Sequence, residues 1–117
     1  MVKWFEIMDI SEQYKDLTEK INENLPLKAY PIRELVRNFR NNGHPITLKT
    51  ELKIKSAHNS GDISGIMCTV ELKNGYKMAC ALTHLIFHKS TFLYSEIADY
   101  QRKREKRIKQ LRSRGMN

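Results

Sequence analysis

The chain has 117 residues, of which 40% are hydrophobic and 29% charged, a composition that suits one folded domain and is too apolar for a wholly disordered chain. Its longest apolar stretches, near residues 63–70 and 78–87, are interrupted by Ser, Gly, Thr or His and fall short of the roughly 20 residues that cross a bilayer, so no membrane association is expected; Glu6 and Asp9 inside the apolar start are unlike a secretory signal. The two cysteines, Cys68 and Cys80, lie in strand-like runs and read as free buried thiols, which points to a soluble, cytoplasmic protein.

Taken in chain order, residues 2–7 have the aromatic content of a short strand. Ile10, Tyr14, Leu17, Ile21 and Leu25 then recur at helical spacing, with Asp9 and Glu12 placed as a capping box and Pro26 as a stop. A second helix is expected to open at Pro31, to bury Ile32, Leu35, Val36 and Phe39, and to end at Asn42-Gly43. Alternation of Ile46, Leu48, Leu52 and Ile54 with polar residues predicts a strand with one wet face, and residues 56–64 read as a loop.

Ile66, Cys68, Val70 and Leu72, the turn signal Asn74-Gly75 and the run 76–88 predict a β-hairpin whose second arm is one long strand. A three-residue loop with Gly75 in the left-handed conformation pairs Leu72 with Tyr76, Val70 with Met78, Cys68 with Cys80 and Ile66 with Leu82. All apolar side chains then share one face. The last helix is predicted from about Thr91 to Ser113, with Leu93, Ile97, Tyr100, Ile108 and Leu111 on one side and Arg104 interrupting that stripe. Beyond Gln101 few apolar anchors remain, so the distal half is expected to project or fray unless a partner covers it. The fold class is α+β: a short N-terminal strand, two helices, a three-stranded antiparallel sheet and a long basic C-terminal helix. Residues 1–101 form the domain and 102–117 the extension.

The formal charge of +8 is unevenly placed. Arg102, Lys103, Arg104, Lys106, Arg107, Lys109, Arg112 and Arg114 stand against Glu105 alone, so residues 102–114 carry +7, while the remaining 13 basic and 12 acidic residues nearly balance. Clustered Lys and Arg on a helix are what a phosphate backbone rewards through counterion release. Arg33, Arg37 and Arg40, at i, i+4 and i+7 of the second helix, form a narrower stripe.

Cys80, His84 and His88 have a spacing that would suit a metal on a helix. On a strand, i to i+8 spans roughly 26 Å, too far for one coordination sphere, so no metal and no cofactor are expected. His58, Asn59, Asp62, His84, His88 and Tyr94 are the acid–base groups from which catalysis would have to be built, and no glycine-rich phosphate loop or nucleophile elbow accompanies them.

With residues 2–7 as a strand, the order becomes strand, two helices, three antiparallel strands and helix, with Gly61-Asp62 before a strand and His88 to Tyr94 before the last helix. In this the chain resembles the RelE/ParE-type toxins, small basic proteins that include ribosome-dependent mRNA endonucleases. The resemblance implies an RNA-facing surface of Lys53, Lys55, His88, Lys89 and Tyr94. Where such toxins commonly carry an Arg after the Gly-Asp-like turn, this chain has Ile63-Ser64-Gly65. The reading taken from the residues is a non-enzymatic nucleic-acid-binding accessory protein, for RNA or DNA, that contacts phosphates through the last helix. The rivals are an RNA-cleaving toxin-like enzyme and an adaptor for an acidic protein partner.

Overall fold

A computed structural model describes residues 14–113 of the chain. Within them, helix α1 occupies residues 14–23, followed by β1 (Leu27–Pro31), α2 (Arg33–Asn41), β2 (Leu52–Asn59), the one-turn helix α3 (Gly61–Ser64), β3 (Ile66–Glu71) and β4 (Lys77–Ala81). A 3-10 turn (Leu82–His84), β5 (Leu85–Ile86) and α4 (Tyr94–Ser113) complete the order. The strands form one antiparallel sheet in the order β4-β3-β2-β1-β5. The expected strand at residues 2–7 and the Asp9–Glu12 cap lie outside the described residues.

β4 and β5 are almost consecutive in the chain yet occupy opposite edges of the sheet. Five flat strands would hold those edges about 19 Å apart, whereas the four backbone steps from Ala81 to Leu85 reach at most about 14 Å. The sheet therefore curls. Phe39, Ile21, Leu35, Leu52, Ile54, Ile66, Leu82, Leu85 and Ile97 fill its inside and are fully buried.

The fold class is α+β, as expected, but the sheet has five strands rather than three. β1 was not foreseen: its inward residues are Leu27, Ala29 and Pro31, and Ala and Pro leave little apolar signal. Pro31 ends this strand beside Leu85 instead of opening α2, a strand terminus being where a missing N–H is tolerated. With β1 between the helices, the element order that carried the toxin resemblance is not the observed one.

The strand expected from Ile46 begins only at Leu52, because the segment before it folds into a turn held by side-chain hydroxyls: Thr50 Oγ1 accepts from Thr47 N–H at 3.0 Å, and Thr47 Oγ1 from Lys49 N–H at 3.2 Å. Residues 56–64 are not a loop throughout, since β2 runs to Asn59 and α3 follows. The run 76–88 is not one strand, because the curl forces the 3-10 corner between β4 and β5.

Other local expectations hold. Gly75 has φ +90°, Leu72 N–H donates to Tyr76 O at 2.9 Å, and Val70 faces Met78 and Cys68 faces Cys80, both thiols being buried. The ladder ends at Met67 and Ala81, one step before the expected pair of Ile66 with Leu82. At the end of α2, Gly43 N–H bonds Arg40 O and His44 N–H bonds Phe39 O, the paired bonds of a glycine-terminated helix.

α1 is tied to the sheet through a side chain that imitates a strand. β1 pairs with β2 only as far as Ile54, leaving the Ala57 backbone without a strand on that side. Asn22 takes the place of one: its Nδ2 donates to Ala57 O at 2.8 Å and its Oδ1 accepts from Ala57 N–H at 2.9 Å. Asn22→Ala should cost about 1–3 kcal/mol by leaving those groups unpaired, read as a lower urea midpoint at unchanged m-value.

Candidate nucleic-acid interface

Helix α4 carries most of the cations, and its roll about its own axis decides which of them face outward. Ile97, Tyr100 and Arg104 are buried along one side, continued by the half-buried Ile108 and Leu111. Gln101 Nε2 donates to Leu82 O at 2.9 Å and to Leu85 O at 2.8 Å, which fastens the helix to the corner between β4 and β5. Tyr14 meets Tyr100 edge to face at 5.1 Å, and Lys20 reaches Glu96 at 3.1 Å, so α1 braces the same helix.

The second fastening lies at the β2–β3 connection. Gly65 adopts φ +69°, ψ −148°, a backbone region open essentially to glycine alone. A Cβ there would come within 2.5 Å of Tyr100 Oη and 2.7 Å of Arg104 Nε. The missing side chain is what lets the helix approach. Tyr100 Oη accepts from Ile66 N–H at 2.8 Å, and burial pushes its phenol up to about 12, so it stays neutral.

Arg104 is 3% exposed, with Nη1 donating to Asp62 O and lying 3.7 Å from the Asp62 carboxylate. Arg107 grips the same carboxylate, with Nη2 at 2.6 Å and Nε at 3.1 Å from Oδ2. These hydrogen bonds hold Asp62 below the usual carboxylate range. Arg104 therefore belongs to the packing of the body, and the distal half of α4, expected to project, is anchored as far as Arg107.

What remains faces outward. Arg102, Lys106 and Lys109, at i, i+4 and i+7, are all exposed on the side opposite Tyr100, Arg104 and Leu111. Arg102 and Lys103 share Asp99, at 2.8 and 3.1 Å, so two cations face one anion there. Arg112 is exposed on the flank of this stripe, and Arg114 lies outside the described residues. On α2, Arg33, Arg37 and Arg40 are exposed. The N-cap of α2 and the middle of α4 each bond to the corner at residues 82–85, where His84 O accepts from Ile32 N–H at 3.1 Å and Gln101 reaches Leu82 and Leu85.

The acid–base groups are dispersed. Asp62 is held by the two arginines, His84 lies 3.6 Å from Glu34, and the His88 ring bonds Ser90 at 2.7 Å. Of the surface implied by the toxin resemblance, Lys53 and Lys55 are on β2, with Lys55 3.8 Å from Glu71, while His88 and Lys89 are exposed beyond β5. Cys80, His84 and His88 fall on β4, the 3-10 corner and the segment after β5. Among the described residues no cluster of His, Cys, Asp and Glu could hold a metal ion, and no helix is long and apolar enough to cross a membrane. Comparison with protein-family models, curated proteins and solved structures gives no match to this chain.

Gly65→Ala should destabilise the protein by about 3 kcal/mol, combining backbone strain with a clash against Tyr100 and Arg104, and calorimetry would show a lowered Tm. The Asp62 contact has a defined pH signature. Its carboxyl sits below 3.8, the value of the free side chain, so its contribution is complete above that pH and is lost as pH falls through the native value. Because Asp62 is half-exposed, the contribution is under about 1 kcal/mol. Asp62→Asn should lower stability at neutral pH and flatten its acid limb, as measured by urea titrations over a pH series.

Proposed function

We propose that this protein binds nucleic acid without catalysing its cleavage, contacting phosphates through the outward face of α4. The observation that carries the reading is the exposed stripe Arg102, Lys106 and Lys109, backed by a helix whose opposite face is fastened by Tyr100, Gln101 and Arg104. A helix held at a fixed roll presents its cations together, and counterion release from a phosphate backbone then drives binding. Lys103 and Arg112 flank the stripe. Arg33, Arg37 and Arg40 of α2 supply a second contact, on a helix that reaches the same corner of the sheet. Arg104 and Arg107 serve by holding the helix in place.

Binding of this kind is insensitive to sequence, because phosphate contacts position a protein without reading bases. Electrophoretic mobility shifts with RNA and DNA over a salt series test it. The intact protein should bind with a steep dependence of log affinity on log salt, and Arg102→Glu, Lys106→Glu and Lys109→Glu together should lower that slope by about one per lost phosphate contact, alike on unrelated sequences. Replacing Arg33, Arg37 and Arg40 by Glu should have the smaller effect. Absence of any shift at low salt overturns the reading in favour of an adaptor for an acidic protein, and cleavage of the RNA overturns it in favour of an endonuclease.

A further inference from the structure

The segment between β5 and α4 is built as two successive turns that share Thr91. Thr91 N–H donates to His88 O at 2.9 Å, and Tyr94 N–H to Thr91 O at 3.0 Å. In the second turn Leu93 has φ +72°, a conformation that glycine or asparagine ordinarily supplies and that costs a leucine about 1–2 kcal/mol. The strained backbone turns the two neighbours opposite ways. Leu93 packs against the core, and its carbonyl accepts from Ile97 N–H at 2.9 Å in the first turn of α4, while Phe92 stands 65% exposed.

The first turn is equally constrained. Ser90 N–H donates to His88 Nδ1 at 3.1 Å and the Ser90 hydroxyl lies 2.7 Å from the same nitrogen. With Nδ1 accepting, the neutral imidazole carries its proton on Nε2, a donor on an exposed ring. Lys89 beside it is exposed as well. Within five consecutive residues the turns thus offer an exposed aromatic ring, an N–H donor and an ammonium, and the chain runs directly from them into α4.

We propose that this double turn is a stacking platform for single-stranded nucleic acid, Phe92 lying against an unpaired base while His88 and Lys89 hold the neighbouring phosphate. The inference rests on the phosphate-binding reading of α4 and narrows it to strands whose bases are free. An aromatic ring beside a basic track is the combination that single strands reward, since every base has a face to stack and every nucleotide a phosphate to neutralise. A duplex buries its base faces and gains nothing from Phe92.

Fluorescence anisotropy with a labelled single-stranded oligonucleotide and with the duplex of the same sequence provides the test, using the full chain, Phe92→Ala and Phe92→Trp. Phe92→Ala should weaken single-strand binding by about 5- to 100-fold, leave duplex binding and the salt slope unchanged, and leave Tm unchanged because the ring is exposed. Phe92→Trp should bind the single strand as the native chain does. Equal loss on both forms, or no loss on either alongside steep salt-dependent binding by the native chain, overturns the platform and leaves the phosphate reading standing. Failure of the native chain to bind either form at low salt overturns both. An abasic single strand should bind the native chain and Phe92→Ala alike, and a persistent difference between them would also overturn the stacking role.

Discussion

The contact between Arg104 and Gly65 fixes the roll of α4, and the outward surface of the protein follows from it. Taking a guanidinium out of water costs several kcal/mol unless its donors are met. Here that cost is offset by the Asp62 carbonyl and carboxylate at a place where the absent side chain of Gly65 lets the helix come close. Such an arrangement contributes little net stability but selects one orientation strongly, because rotating the helix by one residue would strand a buried charge. Tyr100 reinforces the choice by accepting from Ile66 N–H, so the helix is keyed to the start of β3 by hydrogen bonds as well as by packing.

That keying divides the basic residues of the tail into two kinds. Arg104 and Arg107 are turned onto Asp62 and hold the helix, whereas Arg102, Lys106 and Lys109 are turned away and confront solvent. Total charge alone overstates the field such a helix projects, since Asp62 and Asp99 each neutralise part of it locally. The outward stripe retains its effect because the residues on it are not interleaved with the anchoring ones around the helix.

The curl of the sheet does comparable work one turn earlier in the helix, through Gln101. By carrying the chain from β4 across to the far edge, it creates the corner at residues 82–85, to which the N-cap of α2 bonds through its backbone and α4 through the Gln101 side chain. After β5 the chain enters α4 through the double turn, with Leu93 in the left-handed conformation. Phe92 lies exposed within that double turn.

Features decided by neighbours in sequence were legible without the fold. The spacing of Tyr14, Leu17 and Ile21, the stop at Asn42-Gly43, the turn at Asn74-Gly75 with its register and the concentration of charge after Gln101 each depend on a few adjacent residues, and periodicity or turn chemistry expresses them directly. β1 escaped because Ala29 and Pro31 occupy inward positions that a larger residue would have announced. The switch of β5 to the opposite edge, the burial of Arg104 and the separation of anchoring from outward cations belonged to the tertiary structure alone. Each requires residues far apart in the chain to meet, Arg104 with Gly65 or Leu85 with Pro31, and an arginine carries the same charge in sequence whether its partner is a phosphate outside or a carboxylate within.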